Sequence, residues 1–234
     1  MSFVRRLAEA TGSWLHMEFC CSRGGLMNES ALKGAIGQVL SAFPTVTPGA
    51  RVHSDIHHTA LTTGKAGAKR CVDFVVAKLP VKGWPSDVEI AIETKWAGST
   101  HCSPSNIGHD FVRLAMIKRA DPTAHCLFIL AGTATNIEKT LSRAPFTKGV
   151  QKNAGIPSDK SQRKTGFDNF KSVHKTAFGE AINDWQALGK KVPRSITTNV
   201  AGAYPEQNAN GTVRFQAIAW EVLAADPHNI TTVW

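Results

Sequence analysis

Two carboxylates and a lysine set in short apolar runs carry the strongest chemical signal in this chain. Asp73 lies in Cys71-Val72-Asp73-Phe74-Val75-Val76-Ala77, and Glu93-Thr94-Lys95 closes the run Val88-Glu89-Ile90-Ala91-Ile92-Glu93-Thr94-Lys95. The first run is β-branched and apolar and the second alternates with period two, so both read as strands. Residues two apart in a strand share a face, which sets Glu93 beside Lys95. If the Asp73 strand pairs with this one, two carboxylates and an ammonium converge. Anions held that close repel each other unless a cation stands between them, and hard oxygen ligands suit Mg²⁺ or Mn²⁺. The chemistry such a group supports is metal-assisted hydrolysis. On an exposed strand an E-x-K tripeptide is an ordinary solvated charge pair. Asp73 argues against that here, because a carboxylate inside an apolar run requires a partner.

The elements that must position these groups follow from periodicity and punctuation. A first helix falls within Ser2 to Cys21. Asn28 caps a second over Glu29 to Leu40, with Leu32, Ala35, Ile36, Val39 and Leu40 on one side, and Pro44 and Pro48 stop it. A strand is predicted near Arg51 to Leu61, and Thr62 to Gly67 turns the chain into the Asp73 strand. Pro80, Gly83 and Pro85 mark the next turn. After Ser103-Pro104-Ser105, a helix over Asp110 to Arg119 is apolar on nearly every side except at Arg113, Lys118 and Arg119, so it should lie against a sheet. His125 to Ala131 then reads as a buried strand reached by a helical crossover. The last third holds a helix around Lys171 to Leu188 and strands over Ser195 to Ala203 and Thr212 to Val222, the latter containing a core Trp220. Residues 1–234 therefore read as one α/β domain with a central mixed β-sheet flanked by helices.

Twenty-seven Lys and Arg against eighteen Asp and Glu give a net charge of +9, an excess that attracts polyanions, nucleic acid foremost. It is concentrated between Arg143 and Lys175, where eight basic residues accompany only Asp159 and Asp168. Rich in Ser, Thr, Gly, Asn and Pro, the stretch reads largely as loop, either a solvated connector or a flap touching phosphates. Five cysteines form no C-x-x-C pair, and their odd number with no N-terminal signal pattern predicts reduced thiols in an intracellular protein. Cys20-Cys21 reads as a buried pair. The longest apolar runs are strand length, so no membrane partner is expected.

The order helix, strand, strand, strand, helix, strand, with Asp on the second strand and E-x-K on the third, resembles the PD-(D/E)XK nuclease superfamily. The resemblance spans about residues 28–132 and implies a restriction-endonuclease-like core with a C-terminal elaboration over about 143–234. Val72 stands where the family name has Pro. The resemblance implies that Asp73 and Glu93 bind Mg²⁺ or Mn²⁺ and that Lys95 orients or activates the attacking water. It also implies that a Glu on the first core helix completes the metal shell, with Glu29 the candidate and Glu18 the alternative. The implied activity is that of a DNA endonuclease of restriction or defence type, with DNA favoured over RNA. A homodimer would supply two centres for cutting both strands. Lys65, Lys69 and Arg70 in the turn before Asp73, and Lys148, Lys152, Arg163 and Lys164 in the basic stretch, are the candidates for holding the phosphate backbone. Two other readings stay open. One is a nucleic-acid-binding protein of the same fold without turnover. The other is a metallo-hydrolase using His53-Ser54-Asp55-Ile56-His57-His58, where a regular strand would put His53, Asp55 and His57 on one face as zinc ligands.

Overall fold

Side-chain caps from Asn28, Ser103 and Thr133 fix where three of the described helices begin. The computed structural model describes residues 2–62, 71–78, 85–147, 156–158, 162–167, 172–206 and 214–230. After α1 (Phe3–Cys20), α2 (Glu29–Ser41) starts at Asn28, whose Oδ1 accepts the Ala31 amide at 3.0 Å, satisfying a donor that the first turn leaves unpaired. Three strands follow, β1 (Arg51–His57), β2 (Cys71–Lys78) and β3 (Ser86–Trp96). Ser103 caps α3 (Pro104–Ala120), its Oγ accepting the Asn106 amide at 3.2 Å, and Pro104 sits where a missing N–H does no harm. β4 (His125–Thr133) runs into α4 (Ala134–Leu141) through the Thr133 cap. The remainder comprises β5 (Phe146–Thr147), β6 (Ile156–Pro157), β7 (Gln162–Gly166), α5 (Ser172–Ala187), β8 (Ser195–Tyr204) and β9 (Phe215–Ala225).

Seven strands form one sheet in the order β1-β2-β3-β4-β9-β8-β7, and β5 pairs with β6 separately. Only β3 and β4 are parallel neighbours within the large sheet, and α3 is the crossover that a parallel pair requires. The chain is thus α/β with a mixed sheet flanked by helices, as the order of elements predicts. β4 shows why its sequence is apolar throughout: Phe128 and Leu130 pack toward α3 and α5, while Leu127, Ile129 and Ala131 pack toward α1 and α2. A strand covered on both faces has no polar side. Phe111, Phe128, Phe146 and Trp220 form an aromatic cluster, with Phe146 stacked on Trp220 at 4.8 Å. Trp220 is core, as predicted, and its Nε1 donates to the Pro157 carbonyl at 2.6 Å.

Three expectations change, and one helix was not predicted. The predicted strand to Leu61 stops at His57, and Thr59–Leu61 forms a single 3₁₀ turn. The basic stretch read as loop contains β5, β6 and β7, and β7 extends the sheet by pairing with β8. Helix α4 had no periodicity long enough to announce it. Cys20 and Cys21 are exposed, because they lie at the solvent end of α1. No helix among the described residues is long and apolar enough to cross a membrane.

α3 meets α5 at Gly108, where an added Cβ would lie 2.1 Å from the Ala177 carbonyl oxygen. Helix propensity alone favours Ala over Gly by about 1 kcal/mol, but a backbone contact that short forces the two helices apart. Gly108→Ala should therefore lower stability by roughly 1–3 kcal/mol, measured as a lower urea midpoint at unchanged slope.

Candidate active site

The site forms where β2 and β3 part. Their ladder pairs Val76 with Ile90, Val75 with Ala91 and Phe74 with Ile92, and among the described residues it ends there. One residue further on, the Asp73 carboxylate takes the place of a strand partner: its Oδ2 accepts both the Thr94 amide and the Thr94 hydroxyl at 2.8 Å. Its Oδ1 accepts from Lys33 Nζ of α2 at 2.7 Å. Side-chain alternation slips at this point, since Val72 and Val75 both pack toward α3 while Phe74 packs toward α2. On β1, Ser54 faces Phe74 and Ile56 faces Val72. Asp55 between them has φ +52°, a left-handed conformation that Asp tolerates better than most residues. Its carboxylate lies 3.9 Å from Lys33 Nζ.

Glu93 and Lys95 point together toward α3, as period two requires. Glu93 is 1% exposed and Lys95 is also buried. α3 meets them with Asp110 and Arg113, three residues apart on one helical face. Lys95 Nζ lies 2.7 Å from Asp110 Oδ2, Arg113 Nε lies 2.9 Å from Glu93 Oε1, and Arg113 Nη2 also donates to Asp110 Oδ1. The Lys95 ammonium, expected to converge with Asp73 and Glu93, is thus paired with Asp110.

Burial opposes ionisation of Asp73, yet the bonds from Lys33 and Thr94 prevail and hold its pKa below the ordinary value. Burial likewise works against a charged Lys95, but Asp110, with Glu93 and Asp73 adding to it, raises the pKa and keeps the ammonium protonated. Glu93 goes the other way. Burial pushes its carboxyl well above the usual range, Asp110 and Asp73 reinforce this, and Arg113 and Lys95 offset only part of it.

A cavity of about 420 Å³ opens onto this cluster, with Glu29, Lys95, Asp110 and Arg113 on its lining together with His109 and Asp184. Glu29 and Lys33 stand one turn apart on α2, so the predicted Glu29 does share a cavity with Lys95. Glu18 does not join them; it pairs with Arg23 at the end of α1, Oε1 to Nη2 at 2.8 Å. Lys33, Asp110 and Arg113 were not identified from sequence. Arg113 left a trace, as a charge on an otherwise apolar helix, whereas Lys33 and Asp110 looked like ordinary helix-surface residues.

The His53 to His58 run disperses. Asp55 turns to Lys33, His57 Nδ1 lies 3.3 Å from Cys71 Sγ, and the buried His58 pairs with Asp121 at 2.8 Å. Among the described residues no three His, Cys, Asp or Glu side chains gather closely enough to hold a metal ion by themselves. That composition disfavours zinc, which takes three or four protein ligands, whereas Mg²⁺ is commonly held by one or two carboxylates with water and substrate phosphate. Asp73 and Glu93 fit that demand in kind. Glu93 Oε1 and Asp110 Oδ2 are buried beside cations, but no donor is directed at them as a hydrogen bond. Asp55, Asp73, Glu93, Asp110 and Glu29, when ionised, outnumber Lys33, Lys95 and Arg113 by two charges.

Of the candidate phosphate-binding residues, Lys65, Lys69, Arg70, Lys148 and Lys152 lie outside the described residues. Arg163 and Lys164 are exposed on β7, with Lys164 3.7 Å from Asp226. β7 is four strands away from β3, roughly 19 Å at ordinary strand spacing, so these two are not part of the Glu93 cluster. No family model, curated protein or solved structure matches this chain.

A buried carboxyl with a raised pKa binds its proton more tightly in the folded state. The stability this contributes is complete below the ordinary glutamate pKa and is lost as pH rises through the folded-state value. In EDTA, the melting temperature should therefore fall more steeply between about pH 5 and pH 8 for the wild type than for Glu93→Gln. Parallel profiles would count against a raised Glu93.

Proposed function

We propose that this chain is a divalent-metal-dependent nuclease of the restriction-endonuclease-like type, hydrolysing phosphodiester bonds in DNA in preference to RNA. The observation that carries the reading is the Asp73 carboxylate of β2 bonded to Thr94, the residue between Glu93 and Lys95 on β3, where the two strands part, with Glu29 of α2 and Lys95 on the adjoining cavity. The element order α2-β1-β2-β3-α3-β4, with two antiparallel pairs followed by one parallel pair, supports it. The net charge of +9 supports a polyanionic substrate.

Asp73 and Glu93 would hold the ion with water and substrate phosphate completing its shell, and Glu29 would act from the wall of the adjoining cavity. Bound there, Mg²⁺ or Mn²⁺ lowers the pKa of water and neutralises charge growing on a phosphoryl oxygen. The chain's own groups supply orientation and field. Thr94 fixes one Asp73 oxygen through two hydrogen bonds, leaving only the other to exchange partners. Lys95, kept protonated by Asp110, serves as a donor to the attacking water or a nonbridging oxygen and not as the base. Arg113 bridges Glu93 of β3 and Asp110 of α3 and so ties the two elements together beside the cavity. A homodimer would bring two such centres to a duplex.

A second reading, a nucleic-acid-binding protein without turnover, is favoured by one observation: Asp73, Glu93 and Asp110 are each already matched by an internal cation. Incubation with plasmid, linear duplex, single-stranded DNA and RNA, in Mg²⁺, Mn²⁺ or EDTA, separates the two. Metal-dependent cutting is expected, with Asp73→Asn and Lys95→Ala each slowing it at least about 100-fold while Lys95→Ala leaves DNA affinity nearly unchanged. Salt-sensitive binding with no cutting in either metal would establish the second reading instead.

A further inference from the structure

Resting on the nuclease reading, we infer that Lys33 is a built-in counter-ion of the metal site. It occupies Asp73 when no divalent cation is bound and shifts to Asp55 when one is. Both Asp73 oxygens are engaged, but unequally. Oδ2 takes two hydrogen bonds from Thr94, which is fixed by strand geometry, while Oδ1 takes one from Lys33 at the end of a flexible four-carbon stem. A hard cation reaching Asp73 must take Oδ1, the oxygen that Lys33 covers.

The other two cations of the cluster are less free to move. Arg113 is held by Glu93 and Asp110 together and is largely buried, and Lys95 is buried against Asp110. The Lys33 side chain is 33% exposed and already has a second acceptor within 3.9 Å, Asp55, whose carboxylate is 70% exposed. Asp55 reaches it from a left-handed backbone conformation in the middle of a strand. Strain of this kind persists only where the surroundings hold it, and its effect here is to keep a carboxylate at the far side of the Lys33 ammonium. Glu29, one turn earlier on α2, adds to the same field. Lys33 thus stands between an inner acceptor that the metal needs and an outer acceptor that it does not.

Exchange of one charge for another keeps Asp73 ionised throughout. An empty site with no such stand-in would leave a part-buried carboxylate unpaired. The same pairing weakens metal binding, because the ion must break a charge-assisted hydrogen bond to enter.

The test is direct Mn²⁺ binding, read by titration calorimetry and by the electron-spin resonance of free Mn²⁺, without substrate or turnover. Lys33→Met should bind Mn²⁺ about tenfold more tightly than wild type, the equivalent of losing one such competing bond, and should melt earlier in EDTA. Lys33→Arg, which can still pair with Asp73, should stay within about twofold of wild type. Asp55→Asn removes the outer acceptor and should weaken binding about threefold; it carries the test if Lys33→Met does not fold. Unchanged or weaker Mn²⁺ binding in Lys33→Met, or unchanged binding in Asp55→Asn, overturns the exchange while leaving the metal site standing. A wild type that binds no Mn²⁺ overturns the nuclease reading and this inference with it.

Discussion

Burying a charge is the constraint on which the rest of this molecule turns. Glu93 and Asp110 are almost wholly removed from water and Asp73 largely so, and a carboxylate in that position is strongly unfavourable unless a cation accompanies it. The three partners come from three different places: Lys33 from α2, Arg113 from α3 and Lys95 from β3 itself. Each pair therefore fastens one element to another, and Arg113, shared by Glu93 and Asp110, joins two of the pairs into one network. Such pairs add little net stability over an apolar core of the same shape.

The place of the charged cluster follows from what the strands permit. A parallel β3 and β4 with a helix between them set the ends of both strands beside the start of α3, and the early end of the β2–β3 ladder opens a gap next to them. Side chains from four elements reach that gap without any loop having to be shaped for it. The histidine run on β1 has no such advantage. Its regular alternation is broken at Asp55, and its members end up against Lys33, Cys71 and Asp121 in turn.

How much of this was legible in the sequence depends on the range of the interaction. Period two placed Glu93 and Lys95 on one face because that relation is local. Asn28 announced the start of α2 because a cap bonds only three residues ahead, whereas α3 begins at Pro104, six residues before the predicted Asp110. The partnership of Lys33 with Asp73 spans forty residues and no pattern encodes it. Arg113 and Asp110 were visible only as charges on α3, not as partners of particular strand residues. Positive φ at Asp55 left no trace either, since Asp is common in strands' flanks and in turns alike. Strands β5 and β6, two residues each, are too short for any periodicity, and β7 is a polar edge strand recruited by β8 rather than by a hydrophobic face of its own.

The packing of α3 on α5 has an architectural corollary. α5 comes from the last third of the chain, yet Asp184 and Trp185 border the same cavity as Lys95, and α3 lies against α5 with no room for a methyl group at Gly108. The later segment is therefore a wall of the chamber and not an appendage. A shortened chain ending at Thr133 would bare Phe111, Phe128 and the neighbouring side chains that α5 and β9 now cover, and would remove the Asp184 and Trp185 side of the cavity that Lys95 lines.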